Sequence, residues 1–357
     1  MSLRKMLKLW AEGRLPGPMR RDAAQNSYKY LLSHPHMQLR VHHAGSSPAL
    51  WVTNSDYSYL LGENSAGTQT ITAIYTPTNG CTEPVTVKTD SSQNVWTACD
   101  LNAGLTAGAE QEYSSAGSLT ATYSASPQGC PASVECYADA FDGGNDGNGH
   151  VYIEQSEAFS VNCASDKCTY GFLNPGFNWW NASDPSASPT FISVPYGDPV
   201  DVIYYMATDA SGNIWFDYYG CTASLCGGGL ADVADPTTTP AVNYILPVGT
   251  FEFPGGVSVV GQDLYVTDQG TLETYEYKLP VTASSSPVAT FGPTQQGLGS
   301  TGDPVSGGWN SGSTELAQGD CYGWVDLISS GNTVSTAITI DDLPCLLGAA
   351  YASSAQP

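Results

Sequence analysis

The chain has 357 residues, only 13% of them charged, with 38 glycines and 23 prolines; this leaves ample apolar sequence for a large core and excludes a disordered chain. Eight of the 11 basic residues fall within residues 1–48, so the remainder sets three lysines against 32 acids. A body of that sign repels phosphate backbones, which argues against nucleic acid as a partner, and no stretch is long and apolar enough to span a membrane as a helix.

Residues 1–48 are predicted to be a basic, poorly ordered leader. Leu3, Met6, Leu7 and Trp10 fall at helical spacing among Arg4, Lys5 and Lys8, the pattern of a short amphipathic helix on an anionic surface. The continuous apolar run of an export signal is missing there. Residues 49–357 are predicted to form one folded domain.

From Leu50 onward one element recurs: an apolar–aromatic–apolar strand, often entered through a Gly/Asn turn. Its central residues are Trp51, Trp96, Tyr152, Trp215, Tyr265 and Trp324, at blade-sized spacings of roughly 45 to 63 residues. A proline opens the strand before each aromatic from the second onward: Pro84, Pro131, Pro199, Pro254 and Pro304. Proline lacks an N–H and is tolerated at a strand's first residue. Between the two strands the turns begin at Asp90, Asp146 and Asp209, with Asn or Gly supplying the left-handed positions of a tight hairpin. Two outer strands follow, near Glu110–Ser114 and Ser118–Ser124 in the second unit. Trp51 has no proline strand before it, whereas Leu343–Tyr351 is an orphan strand at the other end. The expectation is an all-β, six-bladed β-propeller of four-stranded blades, closed by the C-terminal strand completing the first blade.

The order of proline, apolar strand, D-x-x-G-N turn, aromatic strand and two outer strands resembles NHL-type propeller repeats. It also resembles the wider group of streptogramin lyases and SMP-30-type lactonases. The second, third and fourth units fit the pattern well; the first, fifth and sixth depart from its turn. Enzymes and pure binding modules share this repeat, so the resemblance implies a fold more than a function.

The ten cysteines include two close pairs, Cys163 with Cys168 and Cys221 with Cys226, read as disulfides in surface loops. The other six allow fifteen pairings and are left unassigned. Disulfides imply an oxidising compartment, extracellular or in the cell envelope.

In a propeller with this strand order, acids after the second strands and before the inner strands share one face. Glu83, Glu154, Asp198, Asp217 and Asp303 are the candidate ligands for a divalent ion at the channel mouth. Ca²⁺ takes six to eight oxygens, and the lactonase resemblance implies such a metal. Loop acids also cap turns, and the run Asp142–Gly149 does not match an EF-hand loop. A Ser-His-Asp triad or a lyase needs a histidine, and beyond residue 48 there is only His150, beside a hairpin turn. Phe177, Asn178, Trp179 and Trp180 lie in what reads as an insertion in the third unit; adjacent tryptophans flanked by asparagines suit stacking on a sugar, with packing over a blade edge as the plainer alternative.

The function expected is a non-catalytic extracytoplasmic binding propeller recognising a polysaccharide, a protein or a cell-surface component. The alternative is a divalent-cation-dependent hydrolase or lactonase. An enzyme should gather several of the named carboxylates about one point; a binding module should show a groove or an exposed aromatic patch.

Overall fold

The computed structural model describes residues 50–54, 59–63, 71–75, 81–101, 106–132, 134–164, 167–197, 199–291, 304–309, 315–320, 324–329, 334–339 and 346–351. The predicted basic leader lies outside them. The described residues contain strands and turns and no helix.

β1 (Leu50–Asn54), β2 (Tyr59–Glu63) and β3 (Ile71–Tyr75) form an antiparallel meander. β4 (Thr82–Thr89), β5 (Val95–Leu101), β6 (Ala109–Tyr113) and β7 (Leu119–Ser124) form sheet 1 in chain order. Next come β8 (Glu135–Ala138), β9 (Gly143–Asn145), β10 (His150–Gln155) and β11 (Ala158–Ala164). β12 (Lys167–Leu173), β13 (Gly176–Asn181) and β14 (Thr190–Ser193) follow. Sheet 2 has the order β9-β10-β13-β14, and β8-β11-β12 make a separate three-stranded sheet.

Sheet 3 runs in chain order through β15 (Val202–Thr208), β16 (Ile214–Cys221), β17 (Cys226–Ala234) and β18 (Ala241–Phe251). Sheet 4 does the same with β19 (Pro254–Val260), β20 (Asp263–Asp268), β21 (Glu273–Lys278) and β22 (Ala289–Phe291). The last strands are β23 (Pro304–Trp309), β24 (Glu315–Asp320), β25 (Trp324–Ser329), β26 (Val334–Thr339) and β27 (Leu346–Tyr351). They join the first meander in an eight-stranded sheet, β26-β25-β24-β23-β27-β1-β2-β3. β27 lies antiparallel to β1, with Leu50 opposite Tyr351, and parallel to β23, with Ser306 opposite Gly348.

The repeated turn has a repeated cause. Asp90 Oδ1 accepts the N–H groups of Ser92 and Asn94, and its Oδ2 accepts Trp96 Nε1 at 3.0 Å. Asp209 does the same for Ser211, Asn213 and Trp215. In sheet 2 Asp146 accepts the N–H groups of Asn148 and His150, and His150 Nδ1 lies 2.7 Å from its Oδ2. His150 thus stands where the other turns carry Asn94 and Asn213, as a member of the turn. The turn orders the hairpin and seats the aromatic of the following strand in one stroke.

Each sheet packs face to face on the next. Trp96 and Tyr123 of sheet 1 meet Val151, Ile153 and Trp180 of sheet 2. Tyr152 and Phe177 meet Phe216 and Val233 of sheet 3, whose Trp215 and Leu230 in turn meet Val257 and Tyr277 of sheet 4. Burial of such side chains contributes about 1.5–3 kcal/mol each, so the intersheet layers are the core.

Three placements differ from the sequence expectation. The Pro131 segment does not lead into the first strand of sheet 2; its strand, β8, pairs with β11, and the Cys130–Cys136 disulfide closes the loop before it. The first strand of sheet 2 is instead the glycine-led β9. A Cβ on Gly143 would stand 2.2 Å from Glu110 Oε2 and 2.8 Å from Tyr152 O, so only glycine fits there. In the last unit Trp324 sits on the third strand rather than the second, and Asp320 opposite Pro304 matches Asp268 opposite Pro254. Finally, Gly176–Asn181 is the regular third strand of sheet 2, and the extra length is the β11–β12 hairpin before it.

Candidate functional site

Asp142 is a hub between three sheets. Its carboxylate accepts Thr86 Oγ1 at 2.6 Å, the Gly143 amide at 2.8 Å, Lys88 Nζ at 2.8 Å and the Met206 amide at 2.9 Å. Lys88 also donates to the carbonyls of Gly143 at 2.9 Å and Met206 at 2.6 Å. An ammonium has three donors, and all three are used. Lys88, Gly143, Asn145, Met206 and Val259 line a cavity of about 30 Å³, room for a water or two. The hub joins β4, β9 and β15.

The acids at the ends of the second strands have a common task. Glu154 Oε1 accepts the amides of Phe141 and Asp142 at 2.6 and 2.8 Å. Asp268 accepts those of Glu252, Phe253 and Gly270. Asp217 Oδ1 accepts the Tyr205 amide at 2.8 Å, beside a bulge between Ile203 and Met206. Matching bulges fall at Pro84/Val87, Pro254/Gly256 and Pro304/Gly307. The Ile203/Met206 bulge interrupts the ladder and leaves the Tyr205 amide unpaired, and the buried Asp217 carboxylate satisfies it. Burial pushes the carboxyls of Glu154 and Asp217 well above the usual range, and the negative charge of Asp142 adds to the shift in both; hydrogen bonds from backbone amides pull the other way.

The side chain of Glu83, together with Asp198 and Asp303, lies outside the described residues. Among the described residues no group of three His, Cys, Asp or Glu side chains is arranged to hold a metal ion. Where three first strands begin, aromatic rings meet instead: Phe141 with Tyr204 at 5.7 Å, Tyr204 with Phe253 at 5.4 Å, and Tyr219 with Phe253 at 5.8 Å.

The four residues expected in an insertion pack between sheets. Phe177 is 0% exposed and meets Phe216 edge-on at 5.2 Å. Trp180 is 2% exposed, packs on Tyr123 and donates Nε1 to Ala187 O at 3.0 Å. Asn178 is buried, and Trp179, half-buried, meets the His150 ring edge at 5.4 Å. Alternation along β13 sends Phe177 and Trp179 toward sheet 3 and Trp180 toward sheet 1.

Exposed aromatic surface appears elsewhere, on the three-stranded sheet. Tyr137, Phe159 and Phe172 are directly opposite one another across β8, β11 and β12. Tyr137 stacks on Phe159 at 5.7 Å, and Phe172 stacks on Tyr196 at 5.0 Å with ring planes 9° apart. Phe172 is 55% exposed and Tyr196 37%. The opposite face of the same sheet, Cys136, Ala138, Ala158 and Leu173, joins the core between sheets 1 and 2. Strand alternation therefore presents one face to the core and lines up four rings on the other. Sequence reasoning missed this row because its members come from four separate segments. The traceable signal was the alternation of Ala158-Phe159 and Phe172-Leu173 about the Cys163/Cys168 pair, which face each other in the hairpin; their side chains lie outside the described residues.

Three disulfides are present among the described residues: Cys81–Cys99, Cys130–Cys136 and the predicted Cys221–Cys226.

No protein-family model and no curated protein matches the chain. Solved structures do. A chain from the crystal structure of a nidogen/laminin complex is similar at 12% identity and a TM-score of 0.51, over 85% of this chain and 97% of that one. A hypothetical selenium-binding protein from Sulfolobus tokodaii is similar at 8% identity and a TM-score of 0.51, over 76% of this chain and 69% of that one. A luciferin-regenerating enzyme aligns at 13% identity with a TM-score of 0.46, over 74% and 79%. At such identities the first two likenesses speak to fold alone, and that fold is of the propeller type.

Proposed function

We propose that the chain is a non-catalytic, extracytoplasmic binding propeller that engages a protein or glycan through the aromatic face of its inserted three-stranded sheet. The four four-stranded sheets and the two halves of the eight-stranded sheet are read as six blades of an NHL-like ring, with β27 as the inner strand of the blade that β1 continues. Support for the ring comes from the first strands: β4 neighbours β27, β27 neighbours β23, β23 neighbours β19, β19 neighbours β15 and β15 neighbours β9, while β9 lies beside β5 of sheet 1. The disulfides fit an oxidising, non-cytoplasmic setting.

The observation that carries the functional reading is the row Tyr137–Phe159–Phe172–Tyr196. Large exposed apolar patches on a soluble protein mark interaction sites, and this one stands on an insertion that the blade does not need. The described acids that a metal hydrolase would use each spend an oxygen on backbone amides. The similar chain from the nidogen/laminin complex is part of a protein assembly, which favours a protein ligand.

The test is binding of the whole chain to glycan and peptide arrays, with Phe172→Ala/Tyr196→Ala alongside. The expected result is signal for the native chain and a loss of at least about tenfold in the variant, with unchanged thermal stability. Equal signal from both proteins, or turnover of lactones or esters that EDTA abolishes, would contradict the reading.

A further inference from the structure

The aromatic row has an electrostatic setting that narrows its ligand. Glu135, exposed at the start of β8, stands two residues from Tyr137 and so on the same face of the strand, and it holds the Tyr137 phenol above its ordinary value. At the other end the Tyr196 phenol is pushed up by burial and by the negative charges of Asp201 and Glu157. Both ends of the row are therefore flanked by carboxylates. Of the three lysines beyond residue 48, Lys88 is committed to the hub, and Lys278 pairs with Asp263 and Glu276 in sheet 4. Lys167 is at the start of β12, and its side chain is outside the described residues.

Ring faces carry a negative quadrupole and attract cations, with arginine the commonest partner because its planar guanidinium also stacks. A carboxylate beside the ring adds a charge-assisted hydrogen bond to the same guanidinium. A neutral sugar would use the ring faces but would gain nothing from an acidic field that extends over the whole body.

We propose that the aromatic row on the three-stranded sheet is a docking surface for an arginine-bearing basic segment of a protein partner, its guanidinium groups stacking on Phe172 and Tyr196 and pairing with the flanking carboxylates. This rests on the aromatic face being the binding surface. It differs from a general attraction of basic peptides to an acidic protein in one respect: removing two uncharged rings removes the binding while the net charge stays the same.

The experiment is calorimetric titration of the full chain with hexa-arginine, hexa-lysine and a neutral cello-oligosaccharide, at low and physiological salt. Phe172→Ala/Tyr196→Ala and Glu135→Gln are run in parallel. Expected are saturable hexa-arginine binding, weaker hexa-lysine binding, and affinity that falls as salt rises. The ring variant should lose at least about tenfold and Glu135→Gln several-fold. Oligosaccharide binding that depends on the rings, without arginine binding, would overturn the basic-segment assignment and leave the aromatic face standing. Arginine binding of equal strength in the ring variant would show bulk charge attraction and overturn the assignment. Ring-independent behaviour toward all three probes would overturn both readings. Competition from the chain's own basic residues 1–48 would appear as hexa-arginine binding that strengthens when Arg20 and Arg21 are replaced by Gln, which would make that segment the occupant and contradict an external partner.

Discussion

At the scale of single residues, the molecule uses buried carboxylates as backbone caps, and their protonation sets its response to pH. Among the described residues neither carboxylate oxygen of Glu110 has a hydrogen-bond partner. Burial pushes its pKa well above the usual carboxylate value, nearby Lys88 pulls it down, and Asp142 pushes it up again. The folded state therefore holds this proton more tightly than the unfolded chain. The stability it contributes is fully present below the unfolded pKa of about 4.3 and is lost as pH rises through the raised folded value. Glu154 and Asp217 act in the same direction. Unfolding free energy measured in urea should fall as pH rises above the ordinary carboxylate range, opposite to the common trend. Glu110→Gln should reduce that fall by about 1.4 kcal/mol for each unit by which the folded pKa is raised. An unchanged pH profile in the variant would contradict a buried neutral Glu110. The Asp90 and Asp209 turns were legible in the sequence because each closes within six residues. The Asp142 hub was not, because its partners Thr86, Lys88 and Met206 are 54 to 64 residues away along the chain.

At the scale of elements, the aromatic second strands announced themselves through β-branched and aromatic residues around one buried ring, and Trp51, Trp96, Tyr152, Trp215 and Tyr265 all proved buried. β9 escaped notice because three residues, Gly-Gly-Asn, carry no hydrophobic pattern. β13 reads as an insertion in sequence because both its faces are buried between sheets, so it lacks the alternation of a half-exposed strand. The disulfides belong to this scale as well. Cys81–Cys99 ties the entry of β4 to β5 over a sequence separation of 18, whereas Cys221–Cys226 clasps the β16–β17 hairpin over a separation of 5. Loop-closure entropy gives the first about 3 kcal/mol and the second about 2 kcal/mol. Cys81→Ala/Cys99→Ala should therefore lower stability more than Cys221→Ala/Cys226→Ala in denaturant unfolding. The reverse order would show that the hairpin clasp, rather than the longer tie, dominates.

At the scale of the whole molecule, the proposed ring makes each sheet depend on its neighbours. Trp180 fills the layer between sheets 1 and 2, and Phe177 and Phe216 fill the next. Among the described residues the large apolar side chains of sheets 1 to 4 sit in these shared layers, so an opened ring exposes two apolar faces at once. The junction is β27, which lies between β1 and β23 in the eight-stranded sheet. The aromatic platform gains its rigidity from the same layers, since the inner face of the three-stranded sheet is part of the core between sheets 1 and 2. The most direct measurement is thermal unfolding of the chain lacking Leu343–Pro357 beside the full chain. A closed six-bladed ring predicts a large drop in melting temperature for the truncated protein, with the described sheets lost together. A truncated chain that melts at the same temperature as the full chain would contradict it.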